Sequence, residues 1–155
     1  MKIRLLTVGT KMPEWVDSGF KEYSKRMPPE LRVELIEVPI GVRGRNPSTQ
    51  PKENQGRALL KHIGQQDFVV ALEVLGKSQS TEALAGQLEN WQMSGQDLCL
   101  LIGGPDGLSA DCLARANLKW SLSDLTLPHP MVRILVMEQL YRAWTINTNH
   151  PYHRS

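Results

Sequence analysis

The run Gly103-Gly104-Pro105-Asp106-Gly107 puts three glycines in five residues, directly behind the apolar stretch Leu98-Cys99-Leu100-Leu101-Ile102. Glycine has no side chain to hold a ligand off and reaches positive φ freely, so such a turn lets main chain approach a bound molecule closely. It can equally be only a turn. Soon after comes Leu122-Ser123-Asp124-Leu125-Thr126-Leu127, with a single charge, and then Pro128-His129-Pro130. Walls of that kind hold a flat apolar group such as adenine while main-chain N–H and C=O groups read its edges. A phosphate would want more donors and cations, and Pro105 removes one N–H from the turn. The other chemistry-bearing stretch is the end, where His150, Tyr152, His153 and Arg154 stand close together. These residue types stack on bases and contact phosphates, although a frayed terminus is the simpler expectation.

Other chemistries lack their residues. There is no Walker A loop, the glycine turn is not a dinucleotide fingerprint, and no nucleophile elbow occurs. His150 and His153 are three apart, but Cys99 and Cys112 lie far from them in sequence. No metal site is expected.

The elements that must position these residues follow from hydrophobic period. Lys2–Val8 reads as a strand, and Trp15, Val16, Gly19, Phe20, Tyr23 and Met27 recur at helical spacing until Pro28-Pro29. Leu31–Val38 alternates as a second strand, and strand–helix–strand predicts a right-handed parallel crossover. Pro39–Lys52 is irregular and carries Arg43, Arg45 and Lys52 without an acid. It reads as a loop, either a solvated one or a phosphate-contacting arm. A helix then presents Gly56, Leu59, Leu60 and Ile63 on one face, and Asp67–Leu75 reads as a buried strand. Ser80 can cap a helix whose inward face holds Ala83 or Leu84, Leu88 and Trp91, closed by Gly95.

Leu98–Ile102 is apolar without alternation, as in a strand covered on both faces. Ser109 can cap a helix over Ala110–Ala116, and the segment Leu118–Leu122 is short. The last helix, about Met131–Ile146, is apolar around most of its circumference, which predicts burial in the core, in a second subunit, or both. Glu138 and Arg142 are four apart and can pair, whereas Arg133 falls among apolar neighbours and, if buried, needs an acceptor or anion.

The totals set bounds. A chain of 155 residues is long enough for one domain with a full core. Net charge +2 permits a nucleic-acid partner without arguing for one. Two cysteines make no disulfide framework, so reduced, buried thiols in a cytoplasmic protein are expected. Met1-Lys-Ile-Arg opens directly into a strand, so no leader peptide is expected, and no apolar run approaches a membrane span.

Taken together, the chain resembles the SPOUT methyltransferases, and specifically the ribosomal RNA large subunit methyltransferase H family. The residues that carry the resemblance run in order through Val8-Gly9-Thr10-Lys11, Leu72-Glu73-Val-Leu-Gly76-Lys77, and Leu101-Ile-Gly-Gly-Pro-Asp-Gly107. They continue with Leu127-Pro128-His129, Arg133, Glu138-Gln-Leu-Tyr-Arg-Ala143 and Tyr152-His153-Arg154. Any one piece is weak; the ordered set spans the chain and is specific. The resemblance implies a single α/β domain over residues 1–155, mainly a parallel sheet with helices on both faces. It also implies a C-terminal trefoil knot, with the knot and cofactor region at about 98–155. Further implications are an obligate homodimer and S-adenosylmethionine held by Leu72, Gly103, Gly104, and the loop Leu122, Ser123, Asp124, Leu125, Thr126 and Leu127. The implied reaction is methylation at N3 of a pseudouridine in large-subunit ribosomal RNA of the assembled ribosome.

On that implied reaction, a uracil-type nitrogen must be held in line with the methyl group and lose its proton. The expected catalytic residues are His153 as base or proton shuttle, Arg154 and Arg142 for phosphate or developing carbonyl charge, and Tyr152 stacked on the base. His153 positioning RNA without proton transfer is the competing role. Tail and cofactor loop can come from different subunits. A ribosome-associated binding protein of the same fold without turnover is the alternative function.

Overall fold

A computed structural model describes the chain over residues 1–40 and 51–154. Five strands form one sheet: β1 (Lys2–Val8), β2 (Arg32–Val38), β3 (Phe68–Ser78), β4 (Leu98–Ile102) and β5 (Leu118–Ser121). Their order is β2-β1-β4-β3-β5 and every pairing is parallel. The helices are α1 (Glu14–Ser24), α2 (Pro51–Leu60), α3 (Thr81–Ser94), α4 (Ala110–Arg115) and α5 (His129–Asn147), followed by a 3-10 turn over Pro151–Arg154.

Alternation along β1 divides the core. Ile3 and Leu5 face Phe20 of α1, Leu84 and Leu88 of α3, and Val136 and Leu140 of α5. Leu6 and Val8 face Leu59 of α2 and Cys112 of α4. Helices therefore cover both sides, and all five residues of β4 are buried, as its unbroken apolar run requires. Ser80 and Ser109 cap α3 and α4 by accepting from the N–H groups of Ala83 and Cys112 at 3.0 and 3.2 Å. Both cysteines are free and buried, and burial pushes the Cys99 thiol up to about 11.

Several expectations need correction. Trp15 is 57% exposed, because it lies one residue, about 100°, off the stripe carried by the buried Val16 and Phe20. Lys52 belongs to the first turn of α2 rather than to a loop, with Pro51 at the helix start where no N–H is needed. Arg43 and Arg45 lie outside the described residues. Ile63 lies past the end of α2, yet it still packs on the α2 side of the core.

β3 is buried only over Val69–Ala71 and runs on to Ser78, with Leu75 89% exposed. Its partner β4 pairs only with Phe68–Ala71, and beyond that point the register with β5 slips between Leu72 and Lys77. The distal half of β3 therefore leaves the covered part of the sheet. Finally, α5 starts at His129, with Pro130 inside its first turn rather than before it.

Candidate active site

Because all strands run the same way, their carboxyl ends share one edge, the place where open α/β sheets bind ligands. A cavity of about 400 Å³ lies there. Leu72, Gly103, Gly104, Leu122, Ser123, Leu125, Thr126 and Leu127, all expected from sequence, line it. Asp124 does not; it is exposed beside the cavity rather than part of its wall. Ser123 turns its hydroxyl back to accept from the Leu125 N–H at 3.0 Å, which shapes this short loop.

The glycine turn is built by contact as much as by dihedral freedom. Gly107 has φ +79° and donates its N–H to the Gly104 carbonyl at 3.0 Å. Gly103 has no positive φ, but a Cβ there would stand 2.7 Å from the Gly107 carbonyl carbon. Main chain therefore packs against main chain, and the turn keeps its backbone on the cavity wall.

Sequence reasoning missed part of the wall. Ile102 and Trp120 add apolar wall, Glu73 brings a carboxylate that the loop alone did not imply, and His129 adds a polar ring. The available signal was position: Glu73 follows Leu72 on β3, and His129 follows the loop directly. Burial, then the nearby Arg133, holds the His129 imidazole below its usual range. Arg133 has the acceptors that its sequence setting demanded. It donates to Glu37 Oε2 at 2.7 Å and to the Gly9 carbonyl at 3.4 Å.

The tail residues form a second cluster. The tail over Pro151–Arg154 is packed rather than frayed: the Tyr152 ring lies 4.7 Å from the Tyr141 ring of α5. The Arg142 guanidinium lies 4.9 Å from the Tyr152 centroid, and its Nε donates to Glu138 Oε1 at 2.7 Å. That hydrogen bond holds Arg142 above its usual range, and burial, then Glu138, raises the Tyr152 phenol. His153 Nδ1 is buried and has no hydrogen-bond partner among the described residues. Arg154 ends the 3-10 turn, exposed.

On α5 the two groups sit apart. His129 and Val132 at the cavity are thirteen and ten residues from Arg142 at the tail, about 20 and 15 Å along the helix axis. Met131 and Leu135, four apart on the same helix, are partly exposed apolar residues between them. Among the described residues no three His, Cys, Asp or Glu side chains group as metal ligands, and no described helix is long and apolar enough to cross a membrane.

The family model described as predicted SPOUT methyltransferase matches residues 1–153. The chain belongs to the SPOUT methyltransferase family. It is 57% identical over 155 residues to a Saccharophagus degradans protein named ribosomal RNA large subunit methyltransferase H, covering 99% of this chain and 100% of that one. A Hahella chejuensis protein of the same name is also 57% identical, with 99% of each chain covered. Among solved structures, a probable methylase family protein from Haemophilus influenzae Rd KW20 superposes with a TM-score of 0.59 at 13% identity. That match covers 97% of this chain and 69% of the other. A putative methylase family protein from Neisseria gonorrhoeae gives 0.54 at 16% identity, covering 90% and 81%. At those identities the two structures establish likeness of fold, and SPOUT membership rests on the sequence matches.

Proposed function

We propose that this chain methylates large-subunit ribosomal RNA with S-adenosylmethionine as methyl donor, at N3 of a pseudouridine in the assembled ribosome. The observation that carries the reading is 57% identity, end to end, with a protein named for that RNA and that activity. The cavity suits the donor. Leu72, Ile102, Trp120, Leu122 and Leu127 offer apolar walls for an adenine, the Gly103-Gly104 backbone offers its edges, and the Glu73 carboxylate complements a cation. S-adenosylmethionine, when bound, supplies an electrophilic methyl group on a positively charged sulfur.

The protein's own residues do the rest. The tail orients the target base, with Tyr152 stacking, and Arg154 and Arg142 neutralising phosphate or charge that develops on the base carbonyls. The proton on the target nitrogen needs an acceptor, and the half-buried His153 imidazole in the tail is the group that would take it. The separation of about 15–20 Å along α5 supports a site completed by a second copy, whose tail meets this chain's cavity. The partly exposed Met131 and Leu135 fit such a homodimer. In this reading residues 1–155 form one domain whose part from about Leu98 onward is knotted, and the protein works in the cytoplasm.

Purified protein, methyl-labelled S-adenosylmethionine and ribosomes from a strain lacking the gene test the reading, with free ribosomal RNA and separated subunits in parallel. Label on a large-subunit pseudouridine, with assembled ribosomes alone, is expected. No label on any RNA despite donor binding would leave a ribosome-associated binding protein without turnover.

A further inference from the structure

The chain has three tyrosines, Tyr23 near its start and Tyr141 and Tyr152 near its end. All three rings gather around one guanidinium, that of Arg26 in the turn after α1. Its central carbon lies 5.3 Å from the Tyr23 centroid, 5.7 Å from that of Tyr141 and 5.9 Å from that of Tyr152. Guanidinium groups at this range are attracted by ring quadrupoles. Arg26 is itself fixed: its side chain pairs with Glu22 one turn back, and its N–H donates to the Tyr23 carbonyl at 3.1 Å. Its side chain keeps 35% exposure, so an ion pair with Glu22 alone would have little consequence. The rings are what distinguish it.

Tyr152 thereby has two guanidinium neighbours, Arg26 of the α1 turn and Arg142 of α5, besides the Tyr141 ring. The 3-10 turn that carries it has four residues and no buried one. A turn so short does not hold its own geometry, so its place depends on these ring contacts together with the Tyr152 N–H donated to His150 Nδ1 at 3.2 Å. His153 and Arg154 follow directly. We infer that Arg26 is a positioning residue for methyl transfer: it clamps the Tyr152 ring and thereby aims His153 and Arg154 at the substrate base. This rests on the role assigned above to the tail. Arg26 touches neither donor nor base and acts through Tyr152.

The test compares Arg26→Ala, Arg26→Lys and His153→Ala in the full-length protein, by methyl transfer to ribosomes and by amide hydrogen exchange. Arg26→Ala is expected to lower kcat about tenfold while leaving the KM for S-adenosylmethionine within about twofold. Exchange at Tyr152, His153 and Arg154 is expected to speed up about tenfold, with β1 and β4 unchanged. Arg26→Lys keeps a cation over the rings and is expected to recover most of kcat. The inference is overturned if Arg26→Ala keeps wild-type kcat, if tail exchange does not change, if β1 and β4 lose protection together with the tail, or if Lys rescues nothing. An inactive His153→Ala beside a fully active Arg26→Ala removes this inference alone. A fully active His153→Ala removes the reading of the tail beneath it as well.

Discussion

Arg133, 1% exposed in α5, places its Nη1 2.7 Å from Glu37 Oε2 on β2, across 96 residues of sequence. The pair ties the start of the last helix to the carboxyl ends of the first two strands, beside the cavity. Its two halves are unequal, because the Glu37 side chain keeps 29% exposure and reaches water whereas Arg133 does not. Removing the acid strands a buried cation; removing the cation leaves a carboxylate that solvent can satisfy. Glu37→Ala is therefore expected to cost about 3 kcal/mol and Arg133→Met about half as much, read from urea unfolding. Equal costs, or the reverse order, would show that the buried charge does not dominate.

Gly103 offers a steric prediction with an internal control. A Cβ there meets the carbonyl carbon and oxygen of Gly107 and the N of Leu108, all main chain and none able to swing away. Gly103→Ala is expected to weaken S-adenosylmethionine binding at least about tenfold by calorimetry, because the turn must open. Gly86, inside α3, has nothing within 4 Å of its Cβ position. Gly86→Ala should stabilise the protein by about 0.5–1 kcal/mol and leave donor affinity alone.

His129 predicts a limb of the pH–stability curve. Its folded value lies below the ordinary imidazole range, first through burial and then through Arg133. As pH falls below about 6.5, the unfolded chain takes up the proton first. Its contribution is thus complete above that pH and is lost as pH drops through the folded value. Urea midpoints measured from pH 8 down to pH 5 should fall less steeply for His129→Gln than for the wild-type protein. Parallel curves would mean that His129 is not held neutral.

Much of this architecture was legible because it is local. The five apolar residues of β4 announce a strand covered twice, the serines before α3 and α4 announce caps, and Arg133 among apolar neighbours announces a need for an acceptor. What was not legible depends on distant chain. The exposed distal half of β3 follows from how far its neighbour β4 extends, and no local pattern names Glu37 as the acceptor. The glycine turn and the loop after β5 pointed to the cavity, but Glu73 and His129 entered its wall only through the shared strand edge. Arg26 had only local signals in the sequence, Glu22 four and Tyr23 three residues before it, since Tyr141 and Tyr152 reach it only in the fold.

The central claim is that donor cavity and tail act together from two copies of the chain, and subunit complementation tests it most directly. Gly103→Ala, defective in the cavity, and His153→Ala, defective in the tail, would be co-expressed with different tags and the mixed dimers purified. The account predicts that each variant alone is nearly inactive, and that the mixed dimer, with one intact cavity facing one intact tail, recovers about half of wild-type methyl transfer. A mixed dimer no more active than its parents would contradict it.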